Sequence, residues 1–222
     1  MVYFEKTQPG PNCLEVEKLK VNGDYKCENV LELIKDDFKN KCYICEYKEP
    51  VTINVEHFRP HEGNNELKYS WDNLFWSCSH CNNTKLAKYG NILNCTDIND
   101  EVEKKLKYIF KPFPFEKVEI VELDNSVETI QTKNLLLEVY NGTTKLKTIE
   151  SSNLRNKLLN EIMNFQELLC DYFSDTNTLE DKEYYLIKIK GHLNRGSNFT
   201  AFKRGIILDN EVLKLKFKEY FN

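Results

Sequence analysis

Two cysteine pairs, each at two-residue spacing, bracket the residues of this chain that could do chemistry. Cys42-x-x-Cys45 and Cys78-x-x-Cys81 can supply four thiolates to one tetrahedral Zn²⁺. The 32 residues between Cys45 and Cys78 exceed the roughly 15–20 of a simple zinc ribbon, and the surplus is about what an inserted hairpin needs. Inside that gap Glu56 adjoins His57, and Asn73 follows; Asn82 and Lys85 come just after the second pair. An imidazole titrates near neutral pH and can take a proton from water, while a carboxylate and an amide oxygen suit a hard cation such as Mg²⁺. The combination suits metal-assisted hydrolysis of a phosphodiester. His80, inside the second pair, reads as a bystander to the zinc site.

Adjacent strand residues point to opposite faces, so Glu56 and His57 can serve one site only where their strand ends. Residues 51–55 (Val-Thr-Ile-Asn-Val) alternate and are β-branched, which predicts a strand ending at that pair. Residues 60–65 read as a loop, 67–71 as the return strand, and a short helix runs from Asn82 toward Tyr89. Strand, loop, strand, helix is a ββα order. Ahead of it, residues 1–12 read as an extended arm because of Pro9 and Pro11. Short helices are expected at 13–19 and, capped by Asp24, at 24–38, with Val30, Leu31, Ile34 and Phe38 at helical spacing. Beyond Cys95, a helix is expected over 101–110 and a hairpin joining 118–123 to 127–130. Further helices are expected over 135–140, 151–173, 180–192, 198–208 and 210–221. The fold class is α+β, divided into an arm with helices (1–40), a zinc-stapled core (41–95) and a mainly helical region (96–222).

The 222 residues carry 41% hydrophobic and 12% aromatic side chains, a globular composition rather than a disordered one. The start has no basic segment followed by an apolar run, and no stretch approaches the roughly 18 apolar residues of a spanning helix. A soluble, cytoplasmic protein without membrane contact is expected. Cytosolic thiols stay reduced, so the remaining cysteines (Cys13, Cys27, Cys95 and Cys170) read as scattered small hydrophobes rather than disulfide partners. The net charge of −4 sits awkwardly with an unaided grip on DNA, since phosphate neutralisation supplies most non-specific affinity. Residues 188–218 hold eight basic residues against Asp209 and Glu211. They read as a solvated helical surface more readily than as a DNA face.

Glu56-His57-Phe58-Arg59-Pro60, Asn73-Leu74-Phe75-Trp76-Ser77-Cys78 and Cys81-Asn82 together resemble the HNH endonucleases with a four-cysteine zinc site, most closely those of retron and Septu-type anti-phage systems. The resemblance covers about 45 residues strongly. It implies a ββα-metal core in which His57 is the general base, Glu56 and Asn82 are ligands of a catalytic metal, and Asn73 orients the His57 loop. It also implies that Lys85 meets the scissile phosphate. Glu stands at 56 where Asp or His is commoner, and Asn rather than His at 82, which favours Mg²⁺ or Mn²⁺ over a catalytic Zn²⁺. Arg59 and His61 are placed to contact DNA, whereas Trp71, Phe75 and Trp76 read as packing. The kinship further implies an ATPase partner within a defence complex. A zinc-ribbon module that binds nucleic acid or protein without cleaving stands as the alternative, as does RNA or tRNA as the substrate.

Overall fold

The computed structural model describes residues 1–114 and 116–221. Residues 1–12 run extended across the core. Lys6 reaches inward, its ammonium donating to the Trp71 carbonyl and, at 2.8 Å, to the Leu74 carbonyl. It lies 4.0 Å above the Trp71 ring. Gly10 is obligatory there, because a Cβ on it would stand 2.5 Å from Trp71. Helix α1 (Cys13–Lys18) and helix α2 (Glu28–Asp37) follow. The second starts later than expected because the Asp24 carboxylate accepts the Lys26 N–H (2.9 Å), closing a local turn instead of capping a helix. Cys13 and Cys27, expected as unrelated thiols, are joined as a disulfide.

Strands β1 (Ile53–His57) and β2 (Leu74–Cys78) pair antiparallel, from Ile53 opposite Cys78 to His57 opposite Leu74. This register sets Glu56 and His57 at one end of the ribbon and the second cysteine pair at the other. Helix α4 (Ser79–Lys85) continues from β2 and completes the ββα unit. The return strand therefore lies at 74–78, not at 67–71. The Asn64 carboxamide caps the Glu66 and Leu67 N–H groups and starts helix α3 (Asn65–Lys68), after which Trp71–Asn73 makes one turn of 3₁₀ helix.

Helix α5 (Val102–Lys105) hands over directly to β3 (Leu106–Lys111), which pairs antiparallel with β4 (Lys117–Glu122). The expected helix over 101–110 thus stops halfway. The expected hairpin partner at 127–130 is instead the start of helix α6 (Val127–Asn141). Its cause is local: Asp124 accepts the Ser126 N–H, and the Ser126 hydroxyl caps the Thr129 N–H. Gly142, at φ +74°, ends α6. Helices α7 (Lys145–Phe173), α8 (Leu179–Leu193), α9 (Thr200–Leu208) and α10 (Glu211–Phe217) complete the chain. As expected, α7 buries Leu154, Leu158, Ile162, Phe165 and Leu169 along one stripe.

One core cluster takes side chains from all three expected segments: Phe4 and Phe38, then Tyr43 and Phe75, then Leu135 and Phe202. A smaller one, around Phe165, Ile189 and Phe217, fills the space between α7 and the last helices. The basic 188–218 stretch is partly internal. Lys203 is fully buried 2.7 Å from Glu161, and Arg204 is buried against Glu103. No described helix is long and apolar enough to cross a membrane.

Candidate active site and metal centre

The first cysteine pair sits on a tight turn after α2, where the Cys42 N–H donates to the Tyr47 carbonyl (3.0 Å) and the Glu46 N–H to the Cys42 carbonyl (2.8 Å). Cys78 closes β2 and Cys81 lies in the first turn of α4. All four are buried, and their sulfurs lie within 4.8 Å of one another, with Cys45 and Cys78 3.9 Å apart. A tetrahedral Zn²⁺ with Zn–S bonds of ~2.3 Å has sulfur–sulfur edges of about 3.8 Å, so the cluster fits zinc with little adjustment. The later helices brace this turn from outside. Tyr140 donates to the Cys45 carbonyl (2.6 Å), and the Glu46 carboxylate accepts the Ala201 N–H (3.0 Å) at the start of α9. His80 stands apart from the thiols, bonded to Glu150 and to the Val139 carbonyl.

A cleft of about 450 Å³ opens at the other end of the ribbon; Tyr25, Glu56, His57, His61, Asn82 and Lys85 contribute to its walls. His57, the last residue of β1, is half-buried, and its Nε2 lies 2.9 Å from the Lys68 carbonyl. A carbonyl can only accept, so Nε2 carries the proton and the lone pair of the neutral ring falls on Nδ1. Burial holds the pKa of His57 below its ordinary value, which favours that neutral form.

Glu56, one residue earlier, is buried at 6% exposure. Tyr43 donates to its Oε1, and the Lys85 ammonium lies 3.6 Å from the same oxygen. Burial pushes its carboxyl up to about 7 although Lys85 and Tyr43 pull the other way. Lys85, itself buried, also donates to the His57 carbonyl (3.2 Å). Because the strand ends here, Glu56 and His57 reach one cleft despite their alternation. Asn82, from the middle of α4, adds an amide from the facing element.

Asn73 lies behind the cleft. It is buried, accepts the Arg59 N–H (2.7 Å), and donates to the Arg59 (2.9 Å) and Leu67 (3.0 Å) carbonyls. Its own carbonyl accepts the Phe58 N–H (2.8 Å), so it clamps both ends of the loop that follows His57. His61 packs on His57 with ring centroids 4.7 Å apart, and its Nδ1 accepts the Gly63 N–H (3.1 Å). Arg59 is exposed, and its side chain is not part of the cleft wall. Trp71, Phe75 and Trp76 are buried packing residues. Sequence reasoning missed Tyr43, whose position inside the first cysteine pair conceals its bond to Glu56. It also missed Tyr25 and Lys26, which reach the cleft from the N-terminal arm.

Residues 42–88 match the family model of the HNH endonucleases, and this segment of the chain is therefore an HNH endonuclease domain. The chain is also similar to the Septu protein PtuB of Bacillus mycoides (strain KBAB4), at 39% identity over 85 residues. That match covers 32% of this chain and 29% of the relative, so this chain corresponds to less than a third of that protein's length.

Proposed function

We propose that this chain is a metal-dependent endonuclease that hydrolyses phosphodiester bonds in DNA, acting in the cytoplasm as the effector of an anti-phage defence system beside an ATPase partner. The observation that supports this best is the state of His57: its Nε2 is committed to the Lys68 carbonyl, its Nδ1 has no hydrogen-bond partner among the described residues, and its ring shares a cleft with Glu56 and Asn82. His57 Nδ1 takes the proton of the attacking water. Glu56 and Asn82 form an all-oxygen donor set suited to Mg²⁺ or Mn²⁺. Such a cation supplies charge stabilisation on the phosphate and on the leaving oxygen. Glu56 Oε1 is occupied by Tyr43 and Lys85, whereas Oε2 accepts no hydrogen bond among the described residues, which leaves one carboxylate oxygen for a cation. Lys85 favours the charged form of Glu56 against the burial that raises its carboxyl, and is close enough to meet a phosphate. Asn73 keeps the His57 loop in place, and His61 offers an Nε2–H to the substrate.

The acidic net charge of −4 supports delivery of DNA by a partner rather than by a basic face of this chain. The ATPase and the defence role rest on kinship to the Septu protein. Plasmid cleavage by the purified protein, alone and with its neighbouring ATPase, tests the reading. Nicked or linear product that requires added Mg²⁺ or Mn²⁺ supports it. Metal-stimulated cutting of RNA but not DNA would move the substrate to RNA. DNA binding without any cutting, with or without the partner, would instead favour a binding module.

A further inference from the structure

The cleft wall contains two residues from outside the matched segment. Tyr25 packs its ring on His57 at a centroid distance of 4.5 Å, on the imidazole that His61 also touches. Lys26 is exposed beside it, with its ammonium 5.4 Å from the Tyr25 ring, and no carboxylate pairs with it among the described residues. The segment that carries them is anchored at several points. The Cys13–Cys27 disulfide closes it. Gly23 passes so close to α1 that a Cβ there would lie 1.8 Å from the Glu17 carbonyl oxygen. Tyr69, at the end of α3, donates to the Gly23 carbonyl (2.8 Å), and Glu17 accepts the Asp24 N–H (3.0 Å). A half-buried aromatic ring, one side of it packed against the core, and a cation with no carboxylate partner among the described residues are thus held in the cleft wall beside the imidazole.

We infer that Tyr25 and Lys26 form the strand-binding wall of the cleft: the Tyr25 ring supports His57 on one side and offers a stacking surface to a base of the bound DNA strand, and Lys26 meets a phosphate of that strand. The inference rests on the nuclease reading. It makes the N-terminal arm part of the active site and not merely a support for the core. Base stacking on an aromatic ring is sequence-tolerant, which suits a site whose other groups act on the sugar-phosphate backbone.

The test measures binding of a fluorescein-labelled DNA strand, and of its duplex, by the His57→Gln protein in Mg²⁺, with cleavage by the wild-type background measured in parallel. Tyr25→Ala is expected to weaken binding by about 10- to 100-fold, with Tyr25→Phe restoring it to within about two-fold, because the ring and not the hydroxyl stacks. Lys26→Gln is expected to raise KM with little change in kcat and to reduce the slope of log affinity against log salt by about 1. Zinc content and Tm serve as folding controls, and Lys26→Gln, at an exposed site, tests the wall even if Tyr25→Ala misfolds. Variants that bind and cleave like their parents overturn the inference, as does a parent protein that binds no DNA. A parent that binds through Tyr25 but never cuts overturns the nuclease reading and leaves the wall intact.

Discussion

Asn73→Ala should separate the loop that follows His57 from its clamp. The substitution removes three side-chain hydrogen bonds, to the Arg59 N–H, the Arg59 carbonyl and the Leu67 carbonyl, at 2.7, 2.9 and 3.0 Å. Each bond contributes about 1 kcal/mol net, so with the partners left short of a bond in a buried site the loss is about 3 kcal/mol. For a domain of this size that lowers Tm by roughly 6–12 °C. The zinc cluster lies at the far end of the ribbon, so metal content should not change. The effect on cleavage should be larger than the effect on folding, because Lys68 and the loop residues that position the His57 ring lose their common anchor. A displacement on the order of 1 Å at the base costs about 10²-fold in rate. Scanning calorimetry and zinc analysis of wild type and variant, followed by plasmid cleavage well below the variant's Tm, read both effects. A variant with unchanged Tm and full activity would refute the clamp. Asn73→Asp, which puts an acceptor against two carbonyls, should be worse than alanine.

Other outcomes follow from the same contacts. Purified protein should contain one zinc per chain, and Cys78→Ser should lose it together with the cooperative unfolding transition, since structural zinc and folding are coupled; a zinc content near zero with normal stability would contradict the four-thiol site. At Glu161 burial alone would raise the carboxyl, but His192 and Lys203 outweigh it and hold it down to about 2, against an ordinary value of 4.5. The folded-state pKa is the lower one, so its stabilising contribution is present above about pH 4.5 and is lost as the pH falls through that value toward 2. After solvent screening it amounts to about 1–2 kcal/mol. The difference in Tm between wild type and Glu161→Gln should therefore shrink across that window, and parallel curves would show that the ion pair with Lys203 contributes nothing. Zinc loss in acid affects both proteins alike and cancels in the difference.

Which residues gather at the cleft and at the thiol cluster was more legible in the sequence than the elements that carry them. Cysteine spacing and the order of Glu56, His57, Asn73 and Asn82 are local patterns, and they can be read without knowledge of packing. Strand β1 was legible because Ile53 and Val55 are β-branched and alternate with polar neighbours. Strand β2 was not, because every residue of Leu-Phe-Trp-Ser-Cys is buried and no alternation marks it. Residues 106–111 (Leu-Lys-Tyr-Ile-Phe-Lys) directly follow the charged helix formers of 101–105, which hid the start of a strand that pairs with 117–122. The place of Tyr25 depends on its contact with the distant His57, and the Cys13–Cys27 bond, 14 residues apart in sequence, depends on how the chain between them folds back; no spacing encodes either.

The central claim is that His57 activates water in a metal-dependent phosphodiesterase site. It is tested most directly by plasmid cleavage in Mg²⁺ or Mn²⁺ with wild type and His57→Ala, both shown to hold zinc and to unfold cooperatively. The account predicts metal-dependent cutting by the wild type and a loss of about 10²-fold or more in the variant. Equal cutting by the two proteins would contradict it.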